Sequence, residues 1–177
     1  MNEPPSDKDC RLETGRLLLS PMVATDADLL FELLRNPALY AFTGGSPLSS
    51  VEELRERIHR WEPRRSPTGD EVWLNWTVRL KSGGTALGYL QSTIRADRAE
   101  LAWVIGLPFQ RRGYATEAAL KIADWLKDRF EISEFRANIH AQHVASREVA
   151  KRVGLSPSSE TTGEGEEVWT LRCRRTS

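Results

Sequence analysis

At 177 residues, with 25 basic and 25 acidic side chains, the chain is long enough for a buried core and has no net charge to draw it to nucleic acid or a membrane surface. Hydrophobic residues make up 40% and charged residues 28%, the balance of a soluble globular domain, and no stretch approaches the ~20 apolar residues of a membrane span. Cys10 and Cys173 fit no metal or redox spacing, so free thiols in a reducing, cytoplasmic setting are expected, with no metal bound.

In chain order, residues 1–12 are polar and read as a flexible tail, without the basic flank and apolar run of a signal peptide. A single domain is expected over 13–177. Arg16-Leu17-Leu18-Leu19 predicts a first strand, stopped by Pro21. After Thr25, the positions Asp26, Leu29, Leu30, Leu33 and Leu34 follow helical spacing, and Asn36-Pro37 ends that helix. Ser50 and Glu53 are spaced as a capping box, which predicts a helix running to about Trp61. Val72 to Leu80 alternates with period two, Ser82-Gly83-Gly84 turns the chain, and Thr85–Arg95 and Ala99–Gly106 complete a meander. A helix is predicted from Tyr114 to about Arg129, a strand over Phe135–Ala141, and a helix from His143 to Val153 capped by Gly154. A final strand spans 168–173. The order is that of a mixed α/β domain with antiparallel and crossover parts.

The joint between the third meander strand and its helix carries the chemistry. Gln110, Arg111, Arg112, Gly113, Tyr114, Ala115 and Thr116 lead from strand to helix. A helix start leaves backbone amides unpaired and partly positive, and small residues there let a ligand reach them, as a pyrophosphate requires. Thr116 adds a hydroxyl, and Arg111 and Arg112 add charge. The three-glycine dinucleotide fingerprint and the phosphate-loop lysine are both missing.

Gln110-x-x-Gly113-x-Ala115 resembles the coenzyme A pyrophosphate motif of the GNAT family of N-acetyltransferases. Glu100-Leu101-Ala102-Trp103, Thr116-Glu117-Ala118, Arg16-Leu17-Leu18-Leu19 and Ala145-Ser146-Arg147-Glu148 extend the likeness, in consistent order, to the branch that acetylates ribosomal-protein N-termini (RimJ/RimL-like). The resemblance implies a GNAT-like fold, a mixed and mainly antiparallel central sheet flanked by helices. It also implies acetyl-CoA as co-substrate and an amine acceptor, either a peptide N-terminus or a small molecule. A homodimer stays open. Two positions depart from the branch: His143 stands where it usually has a cofactor-contacting asparagine, and Ala150 where many relatives have an acidic tyrosine.

Acetyl transfer from a thioester needs an amine stripped of a proton, a donor for the oxyanion, and help for the leaving thiolate. The resemblance places a catalytic glutamate in the strand of Glu100, and a serine near the sulfur at Ser146. The amides of Val104 or Ile105 are the expected oxyanion donors. His143 replaces the asparagine contact or caps its helix; Arg147, Lys151 and Arg152 meet the far phosphate of the cofactor or form a solvated face. Tyr40, Phe42 and Trp73 are expected at the acceptor pocket. The competing reading is a catalytically silent acyl-CoA-binding regulatory module.

Overall fold

Alternation over 72–80 puts Val72, Leu74, Trp76 and Val78 on one face of a strand, where all four are buried. The computed structural model describes residues 3–43 and 45–173. Its strands are β1 (Leu12–Glu13), β2 (Leu17–Pro21), β3 (Val72–Leu80), β4 (Ala86–Arg95), β5 (Arg98–Ile105), β6 (Glu134–Ile139), β7 (Ser156–Thr161) and β8 (Glu167–Arg172). Its helices are α1 (Ala27–Leu34), α2 (Val51–Trp61), α3 (Tyr114–Phe130) and α4 (Val144–Val153). The strands form one eight-stranded sheet in the order β1-β2-β3-β4-β5-β6-β8-β7. Every pairing is antiparallel except β5 with β6, which the crossover through α3 makes parallel. The mixed, mainly antiparallel sheet flanked by helices is the expected fold.

Each face of the sheet has its own core. On one side α3 buries Ala119, Ile122 and Leu126 against Leu74, Trp76, Leu90 and Leu101. On the other, Leu30 of α1 and Leu54 and Ile58 of α2 close a smaller cluster. A buried polar knot locks α1 to the sheet: the Asp26 carboxylate accepts from the Thr77 hydroxyl (2.6 Å) and from Arg79.

Three expectations are corrected. Residues 5–12 are not a loose tail, because the buried Trp76 indole N–H needs an acceptor and takes the Cys10 carbonyl (2.8 Å). Cys10 and Leu12 are buried with it, and Leu12 pairs across from Leu19. The box at the start of α2 is only half formed: Ser50 Oγ accepts from the Glu53 amide (3.1 Å), but the Glu53 carboxylate turns to the amide and hydroxyl of Ser49. An additional strand, β7, forms the sheet edge; its exposed Ser-Pro-Ser-Ser sequence lacks an alternating pattern, and an edge tolerates its Pro157.

Candidate active site

Strands β5 and β6 pair only at Arg98–Glu134, Ala99–Phe135 and Glu100–Arg136, although both run on to Ile105 and Ile139. Pairing that stops partway opens a wedge, and the edge of β5 beyond Glu100 faces it without a β6 partner. A cleft of about 770 Å³ occupies this region, between the end of β5, the start of α3 and the start of α4. That volume is in the range of cofactor sites.

Ladder geometry distinguishes the two oxyanion candidates. The Gly106 amide donates to the Leu87 carbonyl (2.8 Å), and Tyr89 lies opposite Val104. Alternation along an antiparallel pair therefore turns the Val104 N–H toward β4 and the Ile105 N–H toward the wedge. Consistent with this, the Ile105 carbonyl accepts from Gln110 Nε2 (2.8 Å), so the motif glutamine folds back on the strand end. Val104 also borders the cleft, but its amide is directed to β4. The strand end is held closely by Gly88, whose φ is +149°; a Cβ there would sit 2.1 Å from the Val104 carbonyl oxygen.

The cradle follows a short turn at Leu107–Phe109. Arg111 (φ +60°) and Gly113 (φ +79°) are both left-handed, and Gly113 is the N-cap of α3 with no side-chain cap bond. Such a turn aims successive amides into one concavity, the arrangement that holds anions. Gln110, Arg111, Gly113, Tyr114, Ala115 and Thr116 all line the cleft, whereas Arg112 lies outside its lining. The Arg112 carbonyl accepts instead from Arg16 (3.1 Å), and the Arg16 guanidinium lies 4.5 Å over the Tyr114 ring. Glu117 gathers the same group: its carboxylate accepts from Thr14, from the Arg16 amide (3.0 Å) and from Arg16 Nε (2.7 Å). Burial works against its charge, but the Thr14 hydroxyl and the two Arg16 donors outweigh it and hold the carboxyl below its usual range. The sequence offered no signal for this clamp, because its partners lie about a hundred residues apart.

Across the cleft, Ser146 is in the first turn of α4 and buried. It is not the cap; His143 occupies that position, without a side-chain cap bond. Ser146 Oγ accepts from the Trp103 indole N–H (3.2 Å). Trp103 was not assigned a role from sequence, though the alternation of β5 puts it on the face of Leu101 and Ile105. His143 stacks on Phe42 (5.0 Å between ring centroids), and His140 packs tilted on the same ring (5.4 Å). Burial first, then the neighbouring His140, lowers the His143 pKa, so it is neutral at neutral pH. Of the three basic candidates on α4, Arg152 lines the cleft. Arg147 turns to the Ala141 carbonyl (3.0 Å) and Lys151 to Glu148 (2.7 Å).

Glu100 sits at the apex of the wedge, on the opposite sheet face from Trp103, and does not line the large cleft. Desolvation raises its pKa, against the opposing pull of Asn138 and Arg136. The three residues expected together at the acceptor pocket are separated. Phe42 lines the large cleft, and Tyr40 lines a second cavity of about 210 Å³ beneath α1 and α2. Trp73 borders neither: its indole donates to Glu71 (2.8 Å), because the register of β3 places it beside Thr93 and, one strand further, Glu100. Among the described residues no cluster suited to a metal ion occurs, and no helix is long and apolar enough to cross a membrane.

Solved structures share this architecture. A GNAT-family acetyltransferase from Bacillus anthracis superimposes with a TM-score of 0.76 at 15% identity, over 92% of this chain and 98% of that one. The ribosomal alpha-N-protein acetyltransferase RimL, in complex with coenzyme A, gives a TM-score of 0.75 at 16% identity, over 90% and 95% of the two chains. Spermidine N-acetyltransferase from Vibrio cholerae, in complex with coenzyme A and spermine, gives 0.69 at 14% identity, over 89% and 94%. No curated protein matches the chain significantly. These identities speak for the fold; the family rests on the sequence itself, since the model of the acetyltransferase (GNAT) domain matches residues 16–156. That match runs from the first long strand through the cradle and α4 to the start of β7, and the chain is an acetyltransferase of the GNAT family.

Proposed function

We propose that this acetyltransferase moves an acetyl group from acetyl-CoA to a primary amine by direct attack within a ternary complex. The observation that carries the reading is the wedge itself: one continuous cleft joins the amide cradle, the free edge of β5 and the Ser146 hydroxyl. When bound, acetyl-CoA supplies an activated acyl group on a thiol leaving group. The amides from Arg111 to Ala115, with the Thr116 hydroxyl, hold its pyrophosphate, and Arg152 and His143 flank it. The Ile105 amide supplies the hydrogen bond that an oxyanion needs.

An alkyl amine has a pKa near 10 and must lose a proton before attack. Glu100 is the base. Four residues of strand, roughly 13 Å, separate it from Val104, so it acts through a relay of waters rather than by contact or through one water. Desolvation raises its pKa above the usual carboxylate value, which makes it a stronger base than an ordinary glutamate. Because Ser146 Oγ accepts from Trp103, its own proton is left to donate to the departing thiolate, a role that the buried Ala150 cannot fill. A screen of peptide and small-molecule amines with thiol-release detection tests the reading. Amine-dependent release of coenzyme A is expected. Tight acetyl-CoA binding with no release for any amine would favour the silent acyl-CoA-binding module instead.

A further inference from the structure

The second cavity lies beneath α1 and α2, on the other face of the sheet from α3, and shares Leu39, Thr43 and Val104 with the wall of the large cleft. A molecule seated in it therefore borders the region where the proposed function puts the thioester. Its volume, about 210 Å³, exceeds the roughly 150 Å³ that holds a benzene ring, leaving room for a ring and a few further atoms. Most of the wall is apolar, built from aliphatic side chains and the rings of Tyr40, Trp61 and Tyr89.

Among the described lining residues the one charged side chain is Arg57. Glu53 takes one of its donors at 3.3 Å, a loose contact, and is itself drawn away by the amide and hydroxyl of Ser49. A guanidinium has five donors in a planar fork, so Arg57 keeps capacity for a second carboxylate. The phenol of Tyr40 donates to the Leu34 carbonyl (2.8 Å), and that of Tyr89, pushed up to about 12 by burial, stays neutral. Neither supplies a negative charge. A polyamine or lysine side chain entering here would bring a second cation against Arg57 with no acid in the lining to receive it. A carboxylate would gain charge-assisted hydrogen bonds in a setting partly shielded from water.

Resting on the proposed function, we infer that the acceptor is a small primary amine with an apolar or aromatic body and a carboxylate, of amino-acid type, and that Arg57 selects it. The amine nitrogen attacks the thioester carbonyl carbon, a C–N bond forms and the C–S bond breaks. The ammonium gives up two protons in all, one to solvent and one to the thiolate, leaving an N-acetyl amino carboxylate and the coenzyme A thiol.

L-Phenylalanine, phenethylamine and spermidine compare the same body with and without the carboxylate, and a polycation. Thiol release should favour phenylalanine over phenethylamine by roughly ten- to hundred-fold in kcat/KM, the value of a charge-assisted hydrogen bond, with spermidine lowest. Arg57→Gln should remove that preference by raising KM for phenylalanine at similar kcat, leaving phenethylamine unaffected. Preference for spermidine, or an equal loss for phenylalanine and phenethylamine in Arg57→Gln, overturns the inference while leaving amine acetylation intact. If no amine is acetylated, the proposed function fails, and calorimetry on the coenzyme A complex still decides the pocket. Phenylalanine binding that is lost in Arg57→Gln upholds it, and absent or non-selective binding overturns it.

Discussion

The indole N–H of Trp103, on β5, donates across the wedge to the hydroxyl oxygen of Ser146, on α4, at 3.2 Å. The bond fixes the serine rotamer from outside its own helix and engages its acceptor side, while its O–H is left unassigned. One hydrogen bond contributes roughly 0.5–1.5 kcal/mol, and more toward a charged partner. Ser146→Ala should therefore lower kcat by about several-fold to a hundred-fold with acetyl-CoA still bound. Trp103→Phe, which keeps a ring but loses the N–H, should lower kcat less. A Ser146→Ala protein that melts lower yet turns over an accepted amine at full rate would make the serine structural.

Glu100→Gln should cost about 10²- to 10⁴-fold in kcat, with the loss shrinking as pH rises and free amine becomes abundant. The sign of the stability effect is opposite. Because the folded-state pKa of Glu100 is raised, it contributes stability present below the unfolded value, near 4.3, and lost as pH rises through the folded one. At neutral pH the neutral glutamine should therefore leave the melting temperature unchanged or higher. A normal rate with a flat pH profile, or a large drop in melting temperature, would assign Glu100 to structure.

Gly113 has φ +79°, a conformation that costs an L-residue about 1–2 kcal/mol, and more when it is β-branched. The position itself is roomy, since the nearest atom to an added Cβ is Arg16 Nη2 at 3.5 Å. Gly113→Val should therefore fold but bind acetyl-CoA at least about tenfold more weakly, because the strained turn misplaces the cradle amides. Calorimetry on a folded variant checks this; unchanged affinity would move the pyrophosphate off the cradle.

What could be read from the sequence divides along physical lines. Period-two alternation at 72–80 and the turn at Gln110–Thr116 are local, so the strand and the helix start were legible, while Arg112, expected with the rest of the turn, lies outside the cleft lining. The parallel pairing of β5 with β6 and the point where it stops depend on residues more than thirty positions apart, and no local pattern encodes them. The same limit hid the bond from Trp103 to Ser146. Tyr40 and Phe42 were placed by the family's substrate loop, with Trp73 beside them; Tyr40 lines the second cavity, Phe42 the large cleft, and the register of β3 sets Trp73 beside Thr93, away from both. The tail was misjudged because Cys10 contributes a carbonyl, and a backbone acceptor leaves no mark on composition.

The carboxylate of Glu117 joins two parts of the chain that must stay in register for the cradle to hold its shape. Its acceptors engage Thr14 and Arg16, and Arg16 in turn covers Tyr114 and holds the Arg112 carbonyl. It also stands in the first turn of α3, where a negative charge suits the helix dipole. Glu117→Gln keeps the shape and one acceptor but loses the charge and turns an amide N–H toward a guanidinium. Since Arg16 is half exposed, screening reduces the loss to about 1 kcal/mol, or roughly 2–4 °C in a domain of this size. The folded-state pKa of Glu117 lies below its ordinary value, so the clamp's contribution is present above about pH 4.3 and is lost as pH falls through the folded value. Melting curves of wild type and Glu117→Gln should therefore differ at pH 7 and converge in more acidic buffer. Freed from its partner, Arg16 brings uncompensated positive charge nearer the pyrophosphate, which opposes the effect of a looser turn. The looser turn should dominate, because amide placement falls off steeply with misalignment while an exposed charge is screened. Acetyl-CoA affinity should accordingly fall a few-fold and should not recover at low salt. Tighter binding at low salt would show that Arg16 acts as a charge rather than as a brace, and a melting difference that persists unchanged into acid would show that the clamp does not depend on the ionised carboxylate.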